Sequence, residues 1–367
     1  VRDYLSVASS RGYVSVTEPL RAAMSVDPDL VVGSVLSLPL FREVVAQRRD
    51  NRDRHDMGRD SLYPYGEDPL GFAEYREYGK YDPEEQAVVA LRALATEPVT
   101  AQEALLGDFT GDDPTLSDEF QWLLTGGDFT VMRDEGLAMG EALSAATTAT
   151  GPLTADAAHL TNAFVQFAGT AKLDLPTGME QGMREMLTHW VDAVNWYTSN
   201  DKTPPATRLR DESSTTNRVE VAMPNFLLNP LSHVMKESFT TEVTATGFAA
   251  ASIWSLHQDF LAVAAHGDEG AQQSVANQTG QMFALHSDTF NHILENGARN
   301  ADERAAAQRA FGEVVLEVAY ATPVVGNTIE GAVSGVPAAL QGAATTGSDR
   351  AQDGVAGLAG LRQSPVS

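Results

Sequence analysis

Asp82-Pro83-Glu84-Glu85-Gln86-Ala87-Val88-Val89-Ala90-Leu91-Arg92-Ala93-Leu94-Ala95 is the stretch that decides the fold class. It places a capping side chain, a proline at the first helical position and two acids in the first turn, where the helix dipole favours negative charge. Val88, Val89, Leu91, Leu94 and Ala95 then form one apolar stripe at helical spacing.

The same signals recur downstream. Thr100-Ala101-Gln102-Glu103 reads as a capping box that opens a short helix to Leu106. Ser117-Asp118-Glu119 opens a helix carrying Phe120, Trp122, Leu123 and Leu124, closed by Gly126-Gly127. A helix is expected over Val131 to Thr147, and Thr154 caps the next, with Leu160, Phe164, Val165 and Phe167 on its buried side. Pro176 starts a segment to Thr198 in which Met179, Met183, Met186, Leu187, Trp190, Val191, Val194 and Trp196 recur at three and four. Further helices are expected over Pro224 to Glu237, Phe239 to Ala265, Ala271 to Asn296 and Asp302 to Tyr320.

Between the two helical groups, Asp201 to Glu220 is polar and contains prolines, and reads as a long loop or domain boundary. Upstream, the first eighty residues read as short helices and loops. Pro19 marks a helix start, and Asp29 to Arg48 has apolar residues at mixed helical spacing, broken near Pro39. Arg48 to Asp60 alternates Arg and Asp and reads as a surface loop. Strand-like alternation is limited to Val14 to Val16 and Arg218 to Met223, enough for a minor ribbon. No fixed-period repeat is present, which argues against a standard solenoid.

The expectation is an all-α, multi-helix array with long loops and minor β content at most. Its parts are 1–81, irregular and helical; 82–200, a helical domain; 201–220, a polar linker or loop; 221–344, a helical domain ending in a small-residue tract; and 345–367, a disordered Gly- and Ala-rich tail.

Composition narrows the function classes. The 367 residues carry 25 basic and 50 acidic side chains, a net charge of −25 that disfavours nucleic acid and anionic lipid, since both need a basic footprint. The absence of cysteine removes disulfides, thiolate nucleophiles, Cys-ligated zinc and iron–sulfur clusters. Arg far outnumbers Lys, which occurs only at Lys80, Lys172, Lys202 and Lys236, and Ala, Asp, Gly and Val abound, as in GC-rich bacterial genomes. The first residues show no charged-then-apolar signal peptide, so the compartment stays open between the cytoplasm and export by another route. Val314 to Ala344 is apolar but interrupted by Glu317, Glu330, Pro323 and Pro337, so it is no clean membrane span.

Candidate chemistry fails on spacing. His286 and His292 are six apart and fall on opposed helix faces; His257 and His266 are nine apart. His189 and His233 read as partly buried helix residues, and no HExxH pattern occurs. Ser255, His257 and Asp259 are the residue types of a hydrolase triad, but side chains at i and i+2 of a helix point about 200° apart. The acidic pairs Asp112-Asp113, Glu84-Glu85 and Asp211-Glu212 are explained by capping and solvation, and Asp53, His55, Asp56 and Asp60 by a solvated loop. Gly354, Gly357 and Gly360 lack the strand and helix of a dinucleotide fingerprint. No catalytic, cofactor-binding or metal site is therefore assigned, and no cofactor is expected.

DFTGDDPTLSDEFQWLLTGGDF (108–129), GLAMGEALSAATTAT (136–150) and LPTGMEQGMREMLTHWVDAVNWYTS (175–199) resemble a family of large helical Streptomyces-type proteins of unknown function. The resemblance extends over roughly Glu84 to Gln341 and includes the small-residue tract from Pro323 to Gly326 and beyond. It implies an association with type VII secretion or polymorphic toxins. Phe129 stands where that family has tryptophan, and the N-terminal WXG-type hairpin is missing, as in a chain that starts inside a longer protein. The expected function is a non-enzymatic structural, interaction or delivery module acting on a protein partner or on a second copy of itself. Two alternatives are a membrane-active factor that inserts Thr322 to Ala344, and a hydrolase of unfamiliar type using acids near Asp112 or Asp211.

Overall fold

The computed structural model describes residues 14–27, 30–61, 83–107, 115–126, 134–197, 207–214, 217–265, 269–297 and 300–320. Among them are thirteen α-helices and one two-stranded antiparallel ribbon, so the chain is all-α with minor β content. Its residues divide into two compact units. One comprises Val1–Met186 with Pro204–Pro224, the other Leu187–Thr203 with Asn225–Ser367.

The first unit contains α1 (Val14–Val26), α2 (Ser34–Ser61), α3 (Pro83–Ala95), α4 (Pro98–Leu105), α5 (Asp118–Gly126), α6 (Leu137–Thr147), α7 (Thr154–Ala171) and most of α8 (Glu180–His189). It also holds the ribbon of β1 (Thr207–Ser214) and β2 (Asn217–Pro224). α3 is its centre. Ala87 to Leu91, Ala93 and Leu94 are all buried, and α1, α2, α4 and α6 pack around them. Burying each such leucine or valine contributes about 1.5–3 kcal/mol, which exceeds any local propensity term in a helix of this length.

α2 departs from the sequence expectation in two places. Pro39 was expected to break the helix and instead lies inside it; Leu38, Leu40, Phe41, Val44 and Val45 on either side of it are buried, and packing offsets the lost backbone bond. Arg48 to Asp60, expected as a loop, continues the same helix. Its sequence puts Arg49 and Asp53, Asp50 and Arg54, and Arg52 and Asp56 at i and i+4, a spacing of opposite charges that favours helix over loop. Val14 to Val16 are likewise helical rather than extended.

Capping differs in detail from the sequence expectation. α4 starts three residues early, with Glu97 at its N-cap and Pro98 in its first turn, so Thr100 lies inside the helix and its hydroxyl donates to Glu97 Oε2 at 2.6 Å. The expected cap of α5 is present: the Phe120 amide donates to Ser117 Oγ at 3.2 Å. α6 begins at Leu137 rather than Val131, behind a turn in which the Asp134 carboxylate accepts from the amides of Gly136 and Ala138. Thr154 is the first residue of α7 and donates to the Gly151 carbonyl, following the 3-10 turn Gly151–Leu153.

α6 meets the start of α8 along glycines. A Cβ at Gly182 would overlap the carbonyl of Gly140, and one at Gly140 would stand 3.0 Å from Met179 Cα. The two backbones therefore pack with no side chain between them. Gln102, 4% exposed, ties α4 to this region by donating to the carbonyls of Ala146 at 2.8 Å and Leu153 at 3.1 Å. Phe120 of α5 and Phe164 of α7 stack, centroids 6.2 Å apart, and both are fully buried.

The ribbon corrects the reading of Asp201 to Glu220 as a loop. β1 occupies Thr207–Ser214 and pairs with β2 in a register that sets Arg210 against Val221 and Asp211 against Glu220. β1 has no apolar alternation of its own; its strand state follows from its partner and from the packing of β2 on α7. The ribbon thus belongs to the first unit, and the division between the two units falls within α8.

The second unit contains the end of α8, α9 (Val191–Asn195), α10 (Leu228–Ser238), α11 (Glu242–Ala265), α12 (Glu269–Asn296) and α13 (Ala301–Tyr320). The segment with helical spacing from Pro176 to Thr198 comprises a 3-10 turn, α8 and α9, with an interruption at Trp190. α11 is apolar on nearly all sides because it is the hub: α9, α12 and α13 pack against it. The small-residue segment 322–344, the tail 345–367 and Asp112-Asp113 lie outside the described residues.

Candidate functional site

Among the described residues of the second unit, polar side chains from three helices meet where α9 packs on α11 and α12. α9 is a short helix of five residues, and it presents Asp192 and Asn195 one turn apart. α11 presents Ser252, Ser255 and Asp259 at i, i+3 and i+7, a single face.

Asn195 and Ser252 are each fully buried. The Asn195 amide donates to the Ser252 carbonyl at 3.1 Å, and the Ser252 hydroxyl donates back to Asn195 Oδ1. The Gln278 side-chain amide, from α12, donates to the backbone carbonyl of Asn195. Three residues beyond Asn195's partner along α11 the pattern continues: Ser255 Oγ donates to Asp192 Oδ1, and the indole of Trp196 donates to Asp259 Oδ2 at 3.3 Å.

This arrangement settles where the three triad-like residues go. Ser255 and Asp259, at i and i+4, both face α9, and each is taken up by a different α9-region partner. His257 points elsewhere. Both its ring nitrogens are buried without a hydrogen-bond partner, the Trp254 ring lies 5.9 Å away, and burial lowers its pKa. Serine and imidazole are not in reach of one another, so no relay can lower the hydroxyl's barrier to attack.

The remaining histidines are dispersed. His286 of α12 is buried, its Nε2 unpartnered, and its ring meets Phe248 edge-on at 5.5 Å. Burial pushes its pKa down to about 3. His292, six positions on, faces the other way, and its Nε2 lies 3.1 Å from the Asn296 side-chain amide. His189 sits exposed beside Trp190, and His233 is half-buried on α10. His266 lies outside the described residues, as do the side chains of Asp53, His55, Asp56, Asp60, Glu84, Glu85, Asp211 and Glu212.

Among the described residues no group of three His, Asp or Glu is placed to hold a metal ion, and no helix is long and apolar enough to cross a membrane. The surface ion pairs are of ordinary kind, Lys236 with Asp288 at 2.7 Å and Arg92 with Glu141 at 3.4 Å. Sequence reasoning missed Asp192, Asn195, Ser252 and Gln278. A short polar-bearing helix between two tryptophans was the only local signal. Compared with known proteins, the chain matches no family model, no curated protein and no solved structure.

Proposed function

We propose that this chain is a non-enzymatic helical module that works through protein–protein contact, as part of a secreted or toxin-associated bacterial protein. One observation carries the non-enzymatic part. The serines, carboxylates and carboxamides that converge at α9, α11 and α12 are spent on one another, as helix-to-helix hydrogen bonds. Groups bound in this way stabilise a packing and are poorly placed to meet a substrate. The delivery setting rests on the resemblance of 108–129, 136–150 and 175–199 to Streptomyces-type helical proteins, and the partner class on the charge of −25, which turns away polyanions.

The test joins chemistry to genetic context. Purified full-length chain is expected to carry no stoichiometric metal or cofactor and to leave a panel of ester, phosphate and glycoside substrates unchanged. Turnover that Ser255→Ala or Asp259→Asn abolishes would contradict the proposal. The flanking genes are expected to encode a secretion ATPase, an immunity protein or an injection-system component, whereas a run of metabolic enzymes would count against it.

A further inference from the structure

Phe239, at the C-terminal cap of α10, stacks on Phe248 of α11 with centroids 4.6 Å apart, and Phe248 in turn meets the ring of His286 on α12 at 5.5 Å and 76°. The three rings are 2%, 5% and 3% exposed, so one column of aromatic side chains joins three helices inside the second unit. Its last member is the only one that can acquire a charge, and its Nε2 has no acceptor or donor to share it with.

We propose that this column is an acid-operated latch: α10, α11 and α12 stay joined while the His286 ring is uncharged, and acidification loosens the second unit because the ring, its Nε2 buried without a partner, takes up a proton only when released from the column. The inference goes beyond the functional reading above and stands whether or not that reading holds.

The surroundings offer the charged ring no compensation. On α11 the titratable groups are Glu242, His257 and Asp259; on α10 they are His233, Lys236 and Glu237; on α9 there is Asp192. On α13 they are Asp302, Glu303, Arg304, Arg309, Glu313 and Glu317, and among the described side chains of α12 itself Asp288, His292 and Glu295. Asp259 is bonded to Trp196, Asp192 to Ser255 and Asp288 to Lys236. None of these carboxylates acts on His286, whose pKa falls to about 3 by burial alone. A quadrupole attraction to Phe248 recovers only part of the lost hydration.

The sign follows from linkage. The folded pKa of His286 lies below the ordinary histidine value, so the unfolded chain binds the extra proton first. The contribution is whole above about pH 6.5 and is lost as the pH falls toward 3, roughly tenfold in the folded-to-unfolded ratio per pH unit. His257, with its pKa also lowered by burial, adds in the same direction.

The experiment is urea unfolding of the full chain at pH 7.5 and 4.5, followed by tryptophan fluorescence, since Trp190, Trp196 and Trp254 all lie in the second unit and only Trp122 lies in the first. Wild type and His286→Leu share every other titrating group, so their difference isolates this ring. The fall in the folded-to-unfolded ratio between the two pH values is expected to be about 100-fold larger in wild type than in His286→Leu. Equal pH dependence in the two proteins would overturn the latch. Should His286→Leu not fold, the ring resonances of His286 in wild type decide: they are expected to stay in the neutral form until the unit unfolds, and a titration near pH 6.5 in the folded protein would overturn it.

Discussion

Replacing Gly182 by alanine is expected to destabilise the first unit by about 3 kcal/mol, at the top of the usual range for overpacking. The new methyl would overlap the backbone carbonyl of Gly140, across the contact of α8 with α6. A clash with a flexible side-chain tip is relieved by a rotamer change; a clash with helix backbone requires α6 and α8 to separate. Separation would in turn disturb Met179 and Met183, both fully buried at the same contact. Alanine's better helix propensity, worth at most about 1 kcal/mol, works in the opposite direction and is outweighed. Gly247→Ala in α11 is the control. Nothing lies within 4 Å of a Cβ there, so the propensity gain stands alone and the variant is expected to be more stable by up to about 1 kcal/mol. Urea midpoints of the two variants should therefore move in opposite directions from wild type.

The second large effect is expected at Asn195. Its amide and carbonyl oxygen serve both polar atoms of Ser252, in a place closed to solvent. Asn195→Ala leaves the buried Ser252 hydroxyl without its acceptor, at about 1–3 kcal/mol, and removes the second donor to the Ser252 carbonyl, which keeps its helix bond. Asn195→Asp keeps the shape, yet it loses the donor to Ser252 and buries a carboxylate next to a carbonyl. The expected order of stability at neutral pH is wild type, then Ala, then Asp, because an unpaired buried charge costs more than a missing hydrogen bond. Thermal unfolding of the three proteins checks that order, and a variant with Asp as stable as wild type would contradict the geometry.

Much of the helical order was legible because helix ends carry chemistry that can be read locally. Ser117 caps α5 as its sequence suggests, and the helices from Leu228 to Tyr320 end within a few residues of their expected limits. Misreadings came where a distant contact overruled a local rule. Pro39 is held in a helix by the buried residues beside it, and Thr207–Ser214 is a strand because β2 offers a partner. In Arg48 to Asp60 the charged composition suggested a loop, although the i, i+4 order of the same charges suits a helix. The candidate site was illegible for a different reason. Asn195 and Ser252 are 57 positions apart and Asn195 and Gln278 are 83 apart, and each alone is an ordinary polar residue on a helix. What sequence could show was negative: Ser255, His257 and Asp259 cannot converge from one helix, and in the structure they do not.

The central claim is that these polar groups hold helices together. A double-mutant cycle on Asp192 and Ser255 tests it most directly, using Asp192→Ala, Ser255→Ala and both together in equilibrium unfolding of the full chain. A hydrogen bond from a hydroxyl to a partly buried carboxylate predicts a coupling of about 1.5–3 kcal/mol, the double variant losing less than the sum of the singles. Additivity within about 0.5 kcal/mol would mean that the two side chains do not act on each other, and would contradict the account.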